Sequence, residues 1–378
     1  MISKKIAIFV GVIMLFSALI PVALNQIDNK SKSGVVKADM KTSYLAATCG
    51  KYSGVSRGDL GKCVKETIDQ RVLTEGFAAT AKDLEASVKI VPEINLICHP
   101  YAHYIGRGAF KELHSVKLAL TAFTSFCAWG YLHGLNVEAA TEYKGAELLK
   151  ILLDGCYFLK TLKGNYFECA HGIGDAFQSI SPTLQEALYW CDQIPDEGVS
   201  QNCSQGATNY WADDIVKRSR VEGFAPTPTE KKVLAGEPYL LCTTLEEVNS
   251  RAGCFDYAVR LNQAYPGGIT YFPGFCEKVN QVDQVNCYRG IGREVAYSQG
   301  YSIIQTLELC AKSNNMNAVA ACTQEVASSR TQMFQDIKGV ALKAICAYAT
   351  KSKNPGIIKG CEQSKEGLAP YFAGDFHL

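Results

Sequence analysis

The sequence predicts an all-α fold of disulfide-stapled helix hairpins stacked as an α-solenoid with a repeat of about 34 residues. Three observations carry this. The chain holds sixteen cysteines, most of them in sequential pairs. The first members of the later pairs recur at nearly constant intervals. Helix starts and breaks fall between them, where a hairpin needs its turns.

The chain begins Met1-Ile2-Ser3-Lys4-Lys5 and continues with an uncharged stretch over residues 6–24. Such a run is an export signal, and Lys4 and Lys5 keep the N-terminus cytoplasmic, so the chain emerges on the outer side of a membrane. A small-residue pattern, Val36-Lys37-Ala38, lies twelve residues past the apolar run. That distance is long for a signal-peptidase site and favours an uncleaved anchor over residues 1–24, with a cleaved signal peptide as the alternative. Residues 25–43 are rich in Lys, Ser, Asn and Asp without periodicity and read as a polar tether. No later segment is long and apolar enough to span a bilayer. Lys and Arg number 38 against 37 Asp and Glu, without a basic block beyond the tether, which excludes the electrostatic footprint of a nucleic-acid binder.

Export and an even cysteine count argue for disulfides. The sequential pairs are Cys49 and Cys63, Cys156 and Cys169, Cys191 and Cys203, Cys242 and Cys254, Cys276 and Cys287, Cys310 and Cys322, and Cys346 and Cys361, separated by 11 to 15 residues. One continuous helix would hold cysteines twelve apart at about 18 Å, whereas a disulfide needs Cα atoms roughly 4.4 to 6.8 Å apart. Each pair therefore brackets a chain reversal. Cys98 and Cys127 lack a cysteine at that spacing; they either bridge each other, which an oxidising compartment favours, or are free thiols that ligate a soft metal or act as nucleophiles.

The first cysteines at 156, 191, 242, 276, 310 and 346 recur at intervals of 35, 51, 34, 34 and 36. Two helices and their turns fit one interval. The long one contains Phe224-Ala225-Pro226-Thr227-Pro228-Thr229-Glu230 and reads as an insertion loop over 221–238, separating helical repeats over 44–220 from a second set over 239–378. Ser181-Pro182-Thr183-Leu184 predicts a helix start with proline in the first turn. Residues 287–299 read as one helix broken at Gly300, residues 303–310 as the next, and Tyr265-Pro266-Gly267-Gly268 as a comparable break. The period is that of the tetratricopeptide repeat, but that family's Trp, Leu-Gly-x-x-Tyr and Ala-x-x-x-Phe signature is not spaced through these units, so no family is assigned.

If one helix of each unit begins at the second cysteine, the residues two and six places later share a face. These are Trp129 and His133, His171 and Asp175, Gln205 and Asn209, Asp256 and Arg260, and Arg289 and Arg293. Glycine stands three places after the cysteine in four units, at Gly130, Gly172, Gly206 and Gly290, which predicts close helix packing. Four of the six histidines fall on three such helices: His99, His103, His133 and His171. His99 with His103, and His171 with Asp175, have the four-residue spacing by which a helix offers two ligands to one metal. His103, His133 and His171, with Asp175 or His99 as the fourth, form the expected ligand set for zinc, with copper or iron as alternatives. His114 and His377 stand apart as surface or capping residues.

Two functions follow. One is an extracytoplasmic protein binding a peptide, glycan or protein partner in a polar groove of Asn209, Asp256, Arg260, Arg289 and Arg293, with a divalent metal at the histidines. Asp256 and Glu294 are the candidate neutralisers of these arginines. The other is a metal-dependent hydrolase or oxidoreductase, with Glu138 or Glu168 as general base. No Gly-x-Ser-x-Gly elbow, phosphate loop or dinucleotide fingerprint stands in a supporting context.

Overall fold

A computed structural model describes residues 43–122, 127, 129–161, 166–297, 301–333 and 339–368. The apolar segment 6–24, the tether up to residue 42 and His377 lie outside the described residues. Among the described residues the fold is helical without strands, and no helix is long and apolar enough to cross a membrane.

Eight helices form the body that carries the site: α1 (Cys98–Leu113), α2 (Gly130–Glu142), α3 (Tyr166–Ile180), α4 (Glu197–Arg218), α5 (Val248–Tyr257), α6 (Gln281–Tyr297), α7 (Met316–Met333) and α8 (Pro355–Leu368). Each packs on the next in chain order. Shorter or amphipathic helices between them, among them Gly145–Thr161, Leu184–Asp192, Ile303–Cys310 and Val340–Ser352, supply the preceding arm of each hairpin. Before α1, Arg57–Glu75 and Phe77–Ile90 close that end.

All seven expected sequential disulfides are formed, and Cys98 bridges Cys127, so no described cysteine is free. Their Cα separations of 5.3 to 5.7 Å sit in the middle of the allowed range. In the chain-entropy picture each short loop closed this way is worth roughly 3 kcal/mol. Eight such staples suit an extracellular or secreted protein.

The helices do not begin at the second cysteine. Cys203, Cys254, Cys287, Cys322 and Cys361 each stand seventh in their helix, and Cys169 stands fourth in α3. Four of these starts are set by capping side chains: Asp196 accepts from the Val199 amide, Asn280 from Asp283, Asn315 from Ala318 and Asn354 from Ile357. Each cap lies seven residues before a cysteine, as does Ser56 before Cys63, where the hydroxyl accepts from Asp59. A short polar side chain satisfies an amide that has no partner within the helix, which fixes the start more firmly than a cysteine does.

Two smaller expectations also shift. Pro182 precedes rather than enters its helix, because Thr183 is the N-cap and accepts from Glu186. The segment 221–238 is not simply a loop: Thr227 and Glu230 form a reciprocal capping box for the helix Pro228–Leu234, whose Val233 is fully buried. Helix α4 packs on α5 across it, so the helices on either side share one core. The break at Gly267 and Gly268 is present, both with positive φ, and the helix Ile303–Cys310 has its expected bounds.

Glycine sets how closely the helices meet. A Cβ on Gly174 would lie 1.8 Å from the Cys203 carbonyl oxygen, and one on Gly206 the same distance from that of His171. Helices α3 and α4 therefore touch backbone to backbone. Gly130 and Gly134 do the same for α2 against α1, where a Cβ would stand 2.3 and 2.0 Å from the carbonyl oxygens of His99 and His103.

Candidate metal centre

That approach of α1 and α2 puts His133 beside the two histidines of α1. Ring centroids of His99, His103 and His133 lie 4.9 to 5.4 Å apart. On the other side His133 stacks on His171 of α3 at 4.9 Å. Asp175, one turn after His171, comes within 3.4 Å of His133 Nδ1 and 4.0 Å of His171 Nε2. All five residues expected to ligate metal are thus brought together. Their donor atoms form two groups, each within 4.8 Å: His99, His103 and His133, and His133, His171 and Asp175. Only His133 belongs to both.

The surroundings orient these rings. A carbonyl only accepts, so the 3.0 Å contact between His99 Nδ1 and the Cys127 carbonyl fixes the Nδ1–H tautomer and leaves the lone pair on Nε2. That Nε2 faces His103 Nε2 at 3.2 Å. The Cys127 carbonyl is held by the Cys98–Cys127 bridge in a turn where Cys127 and Trp129 take left-handed φ of 56° and 65°. Non-glycine residues adopt this conformation at a cost of about 1 to 2 kcal/mol each, and such strain gathers at functional sites.

Burial disfavours charge on each of these groups. Burial, reinforced by the neighbouring histidines, holds His103 and His133 well below 6.5, and burial with the Arg293 guanidinium pushes His171 down to about 3. These three imidazoles are therefore held neutral, the form that ligates metal. Asp175 is shifted the opposite way: burial, then Asp213 and Glu168, raises its carboxyl well above 3.8. Among the described residues its ion-pair partners are the two histidines alone. His133 Nε2 and Asp175 Oδ1 are buried without a hydrogen-bond partner. A buried nitrogen and a buried carboxylate oxygen left this way each cost of the order of 1 to 3 kcal/mol, a cost that a coordinated cation removes.

The remaining face residues make a polar network in which Asp256 Oδ1 and Arg293 Nη1 are buried without a hydrogen-bond partner. Gln205 donates to Asp256 at 2.7 Å, and Arg289 approaches the same carboxylate at 3.5 Å. Arg260 pairs with Asp213 at 2.8 Å and Glu294 at 3.0 Å, and Arg293 with Glu325 at 3.0 Å. Asn209 is half-buried one turn after Gln205. Trp129 is half-buried at the N-terminus of α2. Glu138 is taken up by Lys111 at 3.4 Å. Glu168 sits in a half-exposed recess where desolvation, opposed by Arg293 and aided by Glu325, raises its carboxyl to about 7. His114 ends α1 in a left-handed conformation and pairs with Glu142 at 2.7 Å, outside the cluster.

Tyr257 was not among the expected residues. Its ring lies 5.0 Å from that of His171 and 4.4 Å under the Arg293 guanidinium, joining the histidines to the arginine network. The signal was present: Tyr257 occupies the third place after Cys254, where four other units carry glycine. No family model, curated protein or solved structure matches this chain, so its function is read from the geometry of this site.

Proposed function

We propose that this chain is an extracytoplasmic α-solenoid that holds a divalent transition metal, zinc first, among His99, His103, His133, His171 and Asp175. It is tethered by residues 1–24 or secreted after their removal. The observation that carries the metal is the convergence of four imidazoles on a buried carboxyl that has no Lys or Arg ion-pair partner among the described residues. The nitrogen and carboxylate donors suit zinc, with copper or iron as alternatives. Recurring caps seven residues before the cysteines, and helices packed in chain order, support the solenoid.

The polar groove of Asn209, Asp256, Arg260, Arg289 and Arg293 is the proposed seat of a peptide, glycan or protein partner. Because its arginines are already paired, a partner binds by exchanging carboxylates with Asp256, Glu294 and Glu325 rather than by meeting bare charge. Elemental analysis of the oxidised full chain, incubated with zinc and desalted, tests the metal: stoichiometric zinc is expected, and its loss in the double variant His103→Ala/His171→Ala. A chain that stays metal-free after zinc, copper and iron overturns the reading.

One observation favours the enzyme reading. Glu168 carries a carboxyl raised to about 7 and acts electrostatically on Asp175, the profile of a general base beside a metal-bound water. Hydrolysis of an activated ester or phosphoester by the zinc-loaded chain, lost in Glu168→Gln with zinc retained, would support it. Equal hydrolysis by both proteins removes Glu168 from that role.

A further inference from the structure

The geometry points to two metal ions sharing one imidazole: His99 Nε2, His103 Nε2 and His133 Nε2 hold the first, and His133 Nδ1, His171 and Asp175 hold the second. This rests on the metal-binding reading above and goes beyond it in number, ligand assignment and bridging.

The five residues do not merge into one group even at 4.8 Å; they make two groups joined at His133. Ligand atoms of one zinc-sized ion, with bonds near 2.1 Å, are never more than about 4.2 Å apart. Two groups that stay separate beyond that limit therefore describe two positions. Within each, spacings already match a tetrahedral ion, whose nitrogen and oxygen ligands stand about 3.4 Å apart. His99 Nε2 and His103 Nε2 are 3.2 Å apart, and His133 Nδ1 and Asp175 Oδ2 are 3.4 Å apart.

A residue in both groups serves both only through both ring nitrogens. His133 Nδ1 faces Asp175, while Nε2 is buried without a hydrogen-bond partner and is the nitrogen that remains for the α1 histidines. Binding the second ion requires the single N–H proton of His133 to leave to solvent, and the ring then bridges as imidazolate. Each ion would have three protein ligands, which leaves an open position on each for water or an oxygen-donor ligand. The helices supply the rigidity: α2, which carries the bridge, is in backbone contact with α1 through Gly130 and Gly134. On its other side, a Cβ on Gly172 of α3 would stand 2.8 Å from Asn136 Nδ2 and 3.3 Å from the His133 Cα.

Metal stoichiometry and copper magnetism test this on the oxidised full chain, stripped with a chelator and reloaded. Two equivalents of zinc are expected, and two of copper(II) whose electron paramagnetic resonance integrates to well under two spins, because the imidazolate couples them. The double variants His99→Ala/His103→Ala and His171→Ala/Asp175→Ala should each keep one equivalent, with copper giving an uncoupled single-spin signal. One equivalent in the native chain overturns the shared site and leaves the single-metal reading standing; none overturns both. Two equivalents of copper that integrate as two independent spins overturn the bridge. The native stoichiometry decides without the variants, whose folding far-ultraviolet circular dichroism checks.

Discussion

In α3 the residues two and six places after the cysteine are His171 and Asp175; the same places hold Asp256 in α5 with Arg260 in the 3-10 helix Ala258–Ala264 that follows it, and Arg289 and Arg293 in α6. The backbone arrangement is alike in both regions, with a cysteine staple and a glycine contact, yet the charges end differently. Asp256 has no solvent exposure; its Oδ2 takes Gln205 and faces Arg289, while its Oδ1 is buried without a hydrogen-bond partner. Asp175 is as deeply buried and meets only neutral imidazoles. One scaffold thus carries a buried carboxyl beside arginine at one end and one beside histidines at the other. The difference lies in the side chains each carboxyl meets, arginine at one end and imidazole at the other.

The largest expected effect breaks this comparison directly. In the metal-free protein, Asp256→Asn should lower unfolding stability by about 3 kcal/mol, because Arg289 loses its buried partner, while Asp175→Asn should cost under about 1 kcal/mol, because no cationic side chain depends on it. Denaturant unfolding with disulfides intact and chelator present measures both. Equal losses would mean that the two regions are electrostatically alike.

Next comes the spacing that places the histidines. Gly206→Ala drives a methyl into the His171 carbonyl and should cost about 2 kcal/mol by overpacking, with a weakened zinc affinity in calorimetry, since α4 then stands off His171. An affinity unchanged against this loss would separate the site from the helix contact.

Glu168 sharpens the comparison through pH. Its folded carboxyl titrates near 7 against an ordinary 4.5, so the folded chain keeps a proton that the unfolded chain has already lost. The stabilising contribution of the protonated form is full below pH 4.5 and is lost as pH rises to about 7. Glu168→Gln does not titrate and should therefore gain on the native protein over that window, by on the order of 2 kcal/mol after allowing for the half-exposed recess. A pH-independent difference in melting temperature would place the carboxyl in ordinary solvent. The smallest effect is expected at His114→Ala, which removes an exposed pair with Glu142 and should change stability by no more than about 0.5 kcal/mol and metal content not at all. A loss of metal there would show that the cluster is not the binding site.

Much of this was legible before any coordinates. Cysteines 11 to 15 apart bond in sequence because that spacing can only close over a reversal. His99, His103, His133, His171 and Asp175 converge as four-residue spacing and neighbouring helices require. The capping residues were equally visible, as Asp or Asn seven places before four of the cysteines, but the cysteines drew the helix starts to themselves. Tyr257 was hidden as a gap in the glycine pattern.

The linear order of residues fixes what depends on local sterics and period: helix, cap, staple, and which side chains share a helical face. Tertiary packing alone decided the rest. Whether Arg260, Arg289 and Arg293 stand open or paired depends on carboxylates 32 to 47 residues away in sequence. The grouping of the five candidate ligands into two sets about His133 depends on distances between helices, which glycine contacts to carbonyls on the neighbouring helix keep short. Periodicity carries no information about distances between separate helices, and coordination chemistry is decided by those distances.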